Sequence, residues 1–274
     1  MSLFTVDRDK CRRDGICAAV CPMSIIKAKG GDGFPAPAAG AEELCINCGH
    51  CVAACPHGAM SLAAMDSAGC RPVSRDLLPG PGQVEHLLQA RRSIRCYQER
   101  PVERAVLTGL IDTARYAPSG HNLQPVHWLV VGDAAEVRRL AGLVIEWMCL
   151  MIEERPAVAQ AWHFDRLVAA WEGGRDLICR HAPHLVAVHA AKTERTAPPA
   201  CTIALTYLDL AAFSRGLGAC WAGYFGLAAT AHPPLIEALA LPEGHQVFGA
   251  MLIGYPRFAY HRIPARKEPT ITWR

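Results

Sequence analysis

The chain has 274 residues, 51% hydrophobic and 19% charged, which supplies a full apolar core and excludes a disordered or coiled-coil protein. Its 28 Lys and Arg against 25 Asp and Glu leave a formal net charge of +3, too small and too dispersed to mark a nucleic-acid partner. No run reaches the roughly 18 apolar residues of a membrane span, and the charged stretch DRDK follows MSLFTV too soon for a secretory leader. No membrane partner and a cytoplasmic location are therefore expected.

Seven of the 13 cysteines crowd the start of the chain: Cys11, Cys17, Cys21, Cys45, Cys48, Cys51 and Cys55. A reducing compartment keeps thiols free, so metal is the better reading than disulfides. The stretch to residue 65 repeats a short unit, CPMSIIKA from Cys21 and CPHGAMSL from Cys55. Each copy is too short to build its own core, and a metal cluster is the usual substitute at this size. Cys45, Cys48, Cys51 and Cys55-Pro56 follow the spacing C-x2-C-x2-C-x3-C-P, which grips three corners of a cuboidal iron-sulfur cluster and turns the fourth thiolate toward a second cluster. The pattern is that of bacterial ferredoxins; a zinc site wants two separated cysteine pairs instead. The earlier copy has Asp14 where the second cysteine belongs. Exchange of fourth ligands predicts one cluster on Cys45, Cys48, Cys51 and Cys21 and another on Cys11, Cys17 and Cys55. Asp14 has three readings: a hard oxygen ligand to the fourth iron, a gap that leaves a 3Fe-4S cluster, or a solvated turn residue.

Residues 66–83, DSAGCRPVSRDLLPGPGQ, read as a linker rich in Pro, Gly and Ser. From residue 84 onward, helical spacing alternates with short apolar runs. The predicted helices are VEHLLQARR, ERAVLTGLIDTARY, two stretches over roughly 134–154 and 161–180, and CTIALTYLDLAAFSRGLG. The predicted strands are VHWLVV, LVAVHA and VFGAMLIGYP, with the run CWAGYF between helix and last strand. Cys96, Cys149, Cys179 and Cys201 read as small buried hydrophobes. His181, His184 and His189 straddle a proline and a strand, so common ligation is not expected.

Arg91-Arg92-Ser93-Ile94-Arg95 gathers three guanidinium groups and a hydroxyl, a set suited to phosphate. Ala117-Pro118-Ser119-Gly120-His121-Asn122-Leu123-Gln124-Pro125 forms a polar loop before a strand, and L-G-A-C-W-A-G and G-Y-P followed by R-I-P-A-R-K come later. Taken in order, these motifs resemble the FMN-dependent nitroreductase family over residues 83–274. The N-terminal part resembles two-cluster ferredoxins, including variants with Asp at the Asp14 position.

The resemblance implies an α+β fold: a nitroreductase-like mixed sheet flanked by helices at 84–274, behind a small ferredoxin-type iron-sulfur domain at 1–65. It implies an intertwined homodimer with FMN at the interface. Arg91 and Ser93, with Arg266 and Lys267 from the tail, would hold the FMN phosphate, and Arg92 would contribute its backbone. Arg95 would approach the N1 and O2 edge of the ring. Pro118, Ser119, Gly120 and Asn122 look like the ring-side loop, part of which serves the opposite subunit's flavin. Cys220, Trp221, Ala222 and Gly223 would line the ring near N5. Ala200 and Cys201 stand where the family commonly has an Asp.

Clusters carry electrons singly and FMN passes them on in pairs. The expected activity is therefore an FMN-dependent oxidoreductase. A low-potential donor such as ferredoxin, or NAD(P)H, reduces it, and a small unsaturated acceptor (nitroaromatic, quinone or enone) receives hydride. The alternatives are a non-catalytic electron-transfer module serving a protein partner and a dehydrogenase running the relay in reverse. No catalytic acid-base residue is identified, and 146–175, with Trp147, Trp162, His163, Phe164 and Trp171, is the expected pocket lid or, equally, a packing helix pair.

Overall fold

The computed structural model describes residues 3–274. It divides into two units: the chain up to Leu78 together with Gly120–Leu123, and Pro79–Ser119 together with Gln124–Arg274.

The first unit runs through β1 (Phe4–Val6), α1 (Ile16–Ala19), β2 (Ile26–Lys27), β3 (Ala36–Pro37), α2 (Ala41–Leu44), α3 (His50–Ala53) and β4 (Met60–Leu62). β1 pairs antiparallel with β4 and β2 with β3. Inside the two cysteine motifs, Gly15 at φ 76 and Gly49 at φ 72 precede α1 and α3. A left-handed turn is cheap only for glycine, and Cys17 and Cys51 follow as the second residues of α1 and α3. Phe4, Ile25, Ile26, Val52, Met60 and Leu62 form a small core in which Cys17 and Cys51 are themselves buried. Beyond β4 the chain makes two single 3-10 turns, Ser67–Gly69 and Arg75–Leu77.

The second unit opens with α4 (Pro81–Ala90), which starts inside the stretch read as linker: Pro81 occupies the first turn and the Gln83 side chain accepts from Gly80 N at 2.8 Å. There follow α5 (Arg104–Ala114), β5 (His127–Val131), α6 (Ala134–Glu154), α7 (Pro156–Ala161), α8 (Phe164–Glu172), β6 (His184–Ala191), α9 (Ala197–Ser214), β7 (Gly218–Trp221), α10 (Gly223–Ala231), α11 (Pro233–Ala238) and β8 (His245–Gly254). The sheet order is β5-β6-β8-β7, with every ladder antiparallel. The parallel component is an isolated bridge between Ser93 and Ala219.

The period of two along β6 and β8 explains why both read as continuous apolar runs. Leu185, Ala187, Ala250 and Leu252 join the core beneath α6 and α10. Val186, Val188, Met251 and Ile253 join the opposite core beneath α5 and α9.

Two expectations are corrected. The helix predicted over 161–180 stops at Glu172, because Gly173 and Gly174 follow, the latter at φ +81, and 175–183 is a loop. Cys96 and Cys149 are exposed, not packed: the buried neighbours Ile94 and Tyr97 flank Cys96, and Cys149 sits on the outer side of α6 beside buried Met148. Cys179 and Cys201 are fully buried, as read.

Candidate functional site

In the first unit Cys21, Cys45, Cys48 and Cys51 line one cavity, whose remaining wall is apolar apart from His50 and includes Phe4, Ile26 and Leu62. Cys11, Asp14, Cys17 and Cys55 line a second cavity together with Val6 and Met60. Each set joins cysteines from both copies of the repeat. Burial pushes the Cys51 thiol up to about 11 and raises Cys17 as well. Bare thiolates are disfavoured there, so positive iron is the charge that would hold them ionised. Among the described residues no three His, Cys, Asp or Glu gather for a single metal ion, whereas a cuboidal cluster needs its four sulfurs spread around a void, as here. The donors therefore fit iron-sulfur clusters. Ala59 N donates to Cys55 Sγ at 3.3 Å, and Ile16 N to Asp14 Oδ1 at 3.1 Å.

Gly120–Asn122 form a single 3-10 turn, with His121 at φ 50 and Asn122 at φ 54. The turn packs with the first unit, where Asn122 Nδ2 donates to the carbonyls of Asn47 at 2.9 Å and Ile46 at 3.4 Å.

In the second unit the Arg91–Arg95 segment leaves α4 and runs beside β7, with Ile94 N donating to Ala219 O at 2.9 Å. That bond sets the segment against Cys220, Trp221, Ala222 and Gly223. Arg95, Cys220, Trp221 and Gly223 line one cavity of about 440 Å³ together with Arg180, Trp162 and Tyr224. Its volume lies within the roughly 300–1,000 Å³ of small-molecule sites. With aromatic walls and two guanidinium groups, it suits a planar ring that carries negative charge at one edge. Burial raises the Cys220 thiol even though Arg95 and Arg180 stand near it, so the residue presents a neutral thiol. Ala222 N is occupied by Ala250 O at 2.9 Å.

Arg91 forms an ion pair at 3.2 Å with Asp209 of α9, whose side chain is 9% exposed. Burial raises that carboxyl to about 6, and Arg91 pulls it back only in part. Asp209 was missed in the sequence, although a lone acid within the apolar run of α9 was a usable signal. Ala200 and Cys201 are simply buried.

Within the Arg91–Arg95 segment, Arg92 and Ser93 are half-buried. Pro118 and Ser119 line a different cavity with Trp128 and Ala200, and Ser119 Oγ accepts from Gln124 N at 2.9 Å. Arg266 and Lys267 are exposed in the tail after β8, and no hydrogen bond or ion pair among the described residues joins them to Arg91 or Ser93. Of the expected lid residues, Trp162 lines the cavity, while Trp147 and Phe164 are buried core.

A model of the nitroreductase family matches residues 88–255, and one of the 4Fe-4S dicluster domain matches residues 4–65. The NADH dehydrogenase of Thermus thermophilus is 29% identical over 199 residues, 67% of this chain and 92% of its own length. A nitroreductase with bound FMN from Bacteroides fragilis superposes with a TM-score of 0.57 at 25% identity, covering 69% of this chain and 97% of the other. One from Desulfitobacterium hafniense shares the fold with a TM-score of 0.57 at 22% identity, covering 69% and 98%. No helix among the described residues is long and apolar enough to cross a membrane. With the family match spanning more than half of its length behind a dicluster match, the chain belongs to the FMN-dependent nitroreductase family of oxidoreductases and carries an iron-sulfur domain ahead of its family domain.

Proposed function

We propose that the protein takes electrons singly on two iron-sulfur clusters, passes them to FMN, and delivers them in pairs to a small unsaturated acceptor. The observation that carries this reading is the meeting of Arg95 with Cys220, Trp221 and Gly223 around one cavity, in a chain whose other unit has two cysteine-lined cavities. FMN, when bound, supplies the conversion between one-electron and two-electron chemistry.

The chain's own residues have distinct tasks. Cys21, Cys45, Cys48 and Cys51 hold one cluster, and Cys11, Cys17, Cys55 and Asp14 the other. Asp14, a hard donor, would grip an iron more weakly than a thiolate, leaving that corner of the cluster the easier one to lose. Arg95 stabilises negative charge on the reduced ring, and Trp221, Tyr224 and Trp162 exclude water from it. Asp209 fixes the Arg91 guanidinium for the phosphate, with Ser93, Arg92, Arg266 and Lys267. Pro118 and Ser119 face a different cavity from Arg95, which supports a homodimer in which Pro118, Ser119, Gly120 and Asn122 serve a flavin shared with the second copy. The donor is a low-potential protein such as ferredoxin, or NAD(P)H.

The test is anaerobic purification with iron, sulfide and FMN counts, followed by steady-state reduction of nitroaromatic, quinone and enone acceptors with reduced ferredoxin and then NADPH. Turnover of small acceptors with flavin and clusters present is the expected result. A protein without flavin, or one that reduces a protein partner but no small acceptor, overturns the reading.

A further inference from the structure

A cavity of about 710 Å³ in the second unit joins Arg95 of the flavin motif to residues outside that motif. Arg95, Arg175, Arg180 and Arg257 all line it, with His181 beside them. Among the described residues none of these four arginines is in an ion pair. Two carboxylates share the lining, but one is already spent. Asp176, 3% exposed, accepts at Oδ1 from Ile178 N (2.9 Å) and Cys179 N (2.8 Å), and at Oδ2 from His181 N (3.1 Å). Those bonds hold a loop in which Arg180 and His181 take left-handed backbone angles, φ 59 and 51, a conformation that persists only where its surroundings impose it. The other carboxylate, Glu99, is exposed.

Four guanidinium groups against two carboxylates leave positive charge in excess around the void, and an entering anion offsets it. Guanidinium forks grip carboxylates and other oxyanions in pairs of parallel hydrogen bonds. This cavity shares Arg95, Leu177 and Arg180 with the one lined by Cys220 and Trp221, so the two are direct neighbours.

We infer that the cavity is an anion subsite for the acceptor. The molecule that the enzyme reduces carries a carboxylate or a similar small oxyanion, held by Arg175 and Arg257, while its reducible group lies toward Trp221. This rests on the reading of the neighbouring cavity as the flavin site. The same chemistry would recognise the phosphate of FMN, and the experiment separates the two sources.

The holoprotein is assayed anaerobically with 4-nitrobenzoate and with neutral nitrobenzene. Each nitro group takes two electrons, from two equivalents of reduced methyl viologen, and two protons; one N–O bond breaks, water leaves and a nitroso group remains. Wild type and the Arg175→Gln/Arg257→Gln double variant are compared for KM, FMN content and circular dichroism. Benzoate, which accepts no electrons, is titrated in parallel against the flavin absorbance of the oxidised proteins. The expected result is at least a tenfold rise, in the double variant, of the KM ratio of nitrobenzoate to nitrobenzene, with a matching loss of benzoate affinity and full FMN content. An unchanged ratio and unchanged benzoate affinity overturn the inference, and so does loss of FMN from a folded variant, which would assign the arginines to the cofactor phosphate. If wild type reduces neither nitro compound, the proposed activity fails, and the benzoate titration alone decides the anion site.

Discussion

Asp14 spends one carboxylate oxygen on the Ile16 amide at 3.1 Å, leaving the other for the cavity it lines with Cys11, Cys17 and Cys55. An oxygen donor holds iron less firmly than a thiolate, and the consequence is visible by paramagnetic resonance. Anaerobic wild type is expected to be free of the three-iron signal and to acquire it on brief exposure to air. Asp14→Cys should resist that conversion, and Asp14→Ala should carry the three-iron cluster from the start. Identical spectra from all three proteins would remove Asp14 from the ligand set. The residue was legible as a question because it stands inside a motif of fixed spacing. Asp209 carried only the weaker signal of a charge among apolar neighbours, and its partner Arg91 lies more than a hundred positions away.

At the scale of elements, β7 is the register key for the flavin motif. Gly218 opens the strand with no room for a side chain: a Cβ there would meet Ile94 Cγ1 at 2.5 Å and Ile94 Cβ at 2.6 Å. Ile94 cannot retreat, because its own amide is tied to Ala219 O. Gly218→Ala is therefore expected to cost about 1–3 kcal/mol, the usual range for overpacking. It should also displace Arg91–Arg95, measurable as a lower melting temperature together with weakened FMN retention. Full retention of FMN in the variant would show that the strand does not set the motif. The sheet also makes a contact no linear reading anticipates. His127 of β5, His189 of β6 and His245 of β8 meet through cross-strand pairing, with ring centroids 4.9–5.3 Å apart and His189 Nδ1 3.0 Å from His245 Nδ1. Reading along the chain grouped His189 with His181 and His184 instead. Strand order β5-β6-β8-β7 is set by long-range pairing, so residues that share a sheet end leave no local pattern. Helices and apolar strands were legible because periodicity is local, and the end of α8 was lost where two glycines cut a continuing apolar pattern. Burial first, and then His127 and His245, lower His189 from 6.5 to about 4. Between those two values the unfolded chain binds a proton that the folded one refuses. Stability is therefore complete above about pH 6.5 and falls as the pH drops toward 4, by on the order of 2–3 kcal/mol. His189→Phe should flatten the melting temperature across that window; an unaltered slope would locate the acid sensitivity elsewhere.

For the whole molecule, the proposed relay makes a prediction about electron counts that depends on no assumed distance. A fully reduced chain stores two electrons on FMN and one on each cluster, roughly four in all. If the clusters feed the flavin, such a chain, freed of excess reductant and mixed with a two-electron quinone acceptor, should yield about two molecules of product, with the colours of both flavin and clusters restored. If the iron-sulfur unit is an independent passenger, about one product forms and the clusters stay bleached. Cys48→Ser, which removes a thiolate from the cavity of Cys21, Cys45 and Cys51, should lower the yield by the share of the lost cluster and leave the flavin's own pair intact. Slow cluster oxidation by direct collision with the quinone is distinguished by its rate, which would scale with quinone concentration after the flavin phase has ended. Internal transfer instead proceeds at a rate independent of acceptor once the flavin is oxidised. A second phase proportional to quinone would therefore break the relay while leaving the family chemistry of the larger unit untouched, and a concentration-independent phase would establish that the two units work as one enzyme.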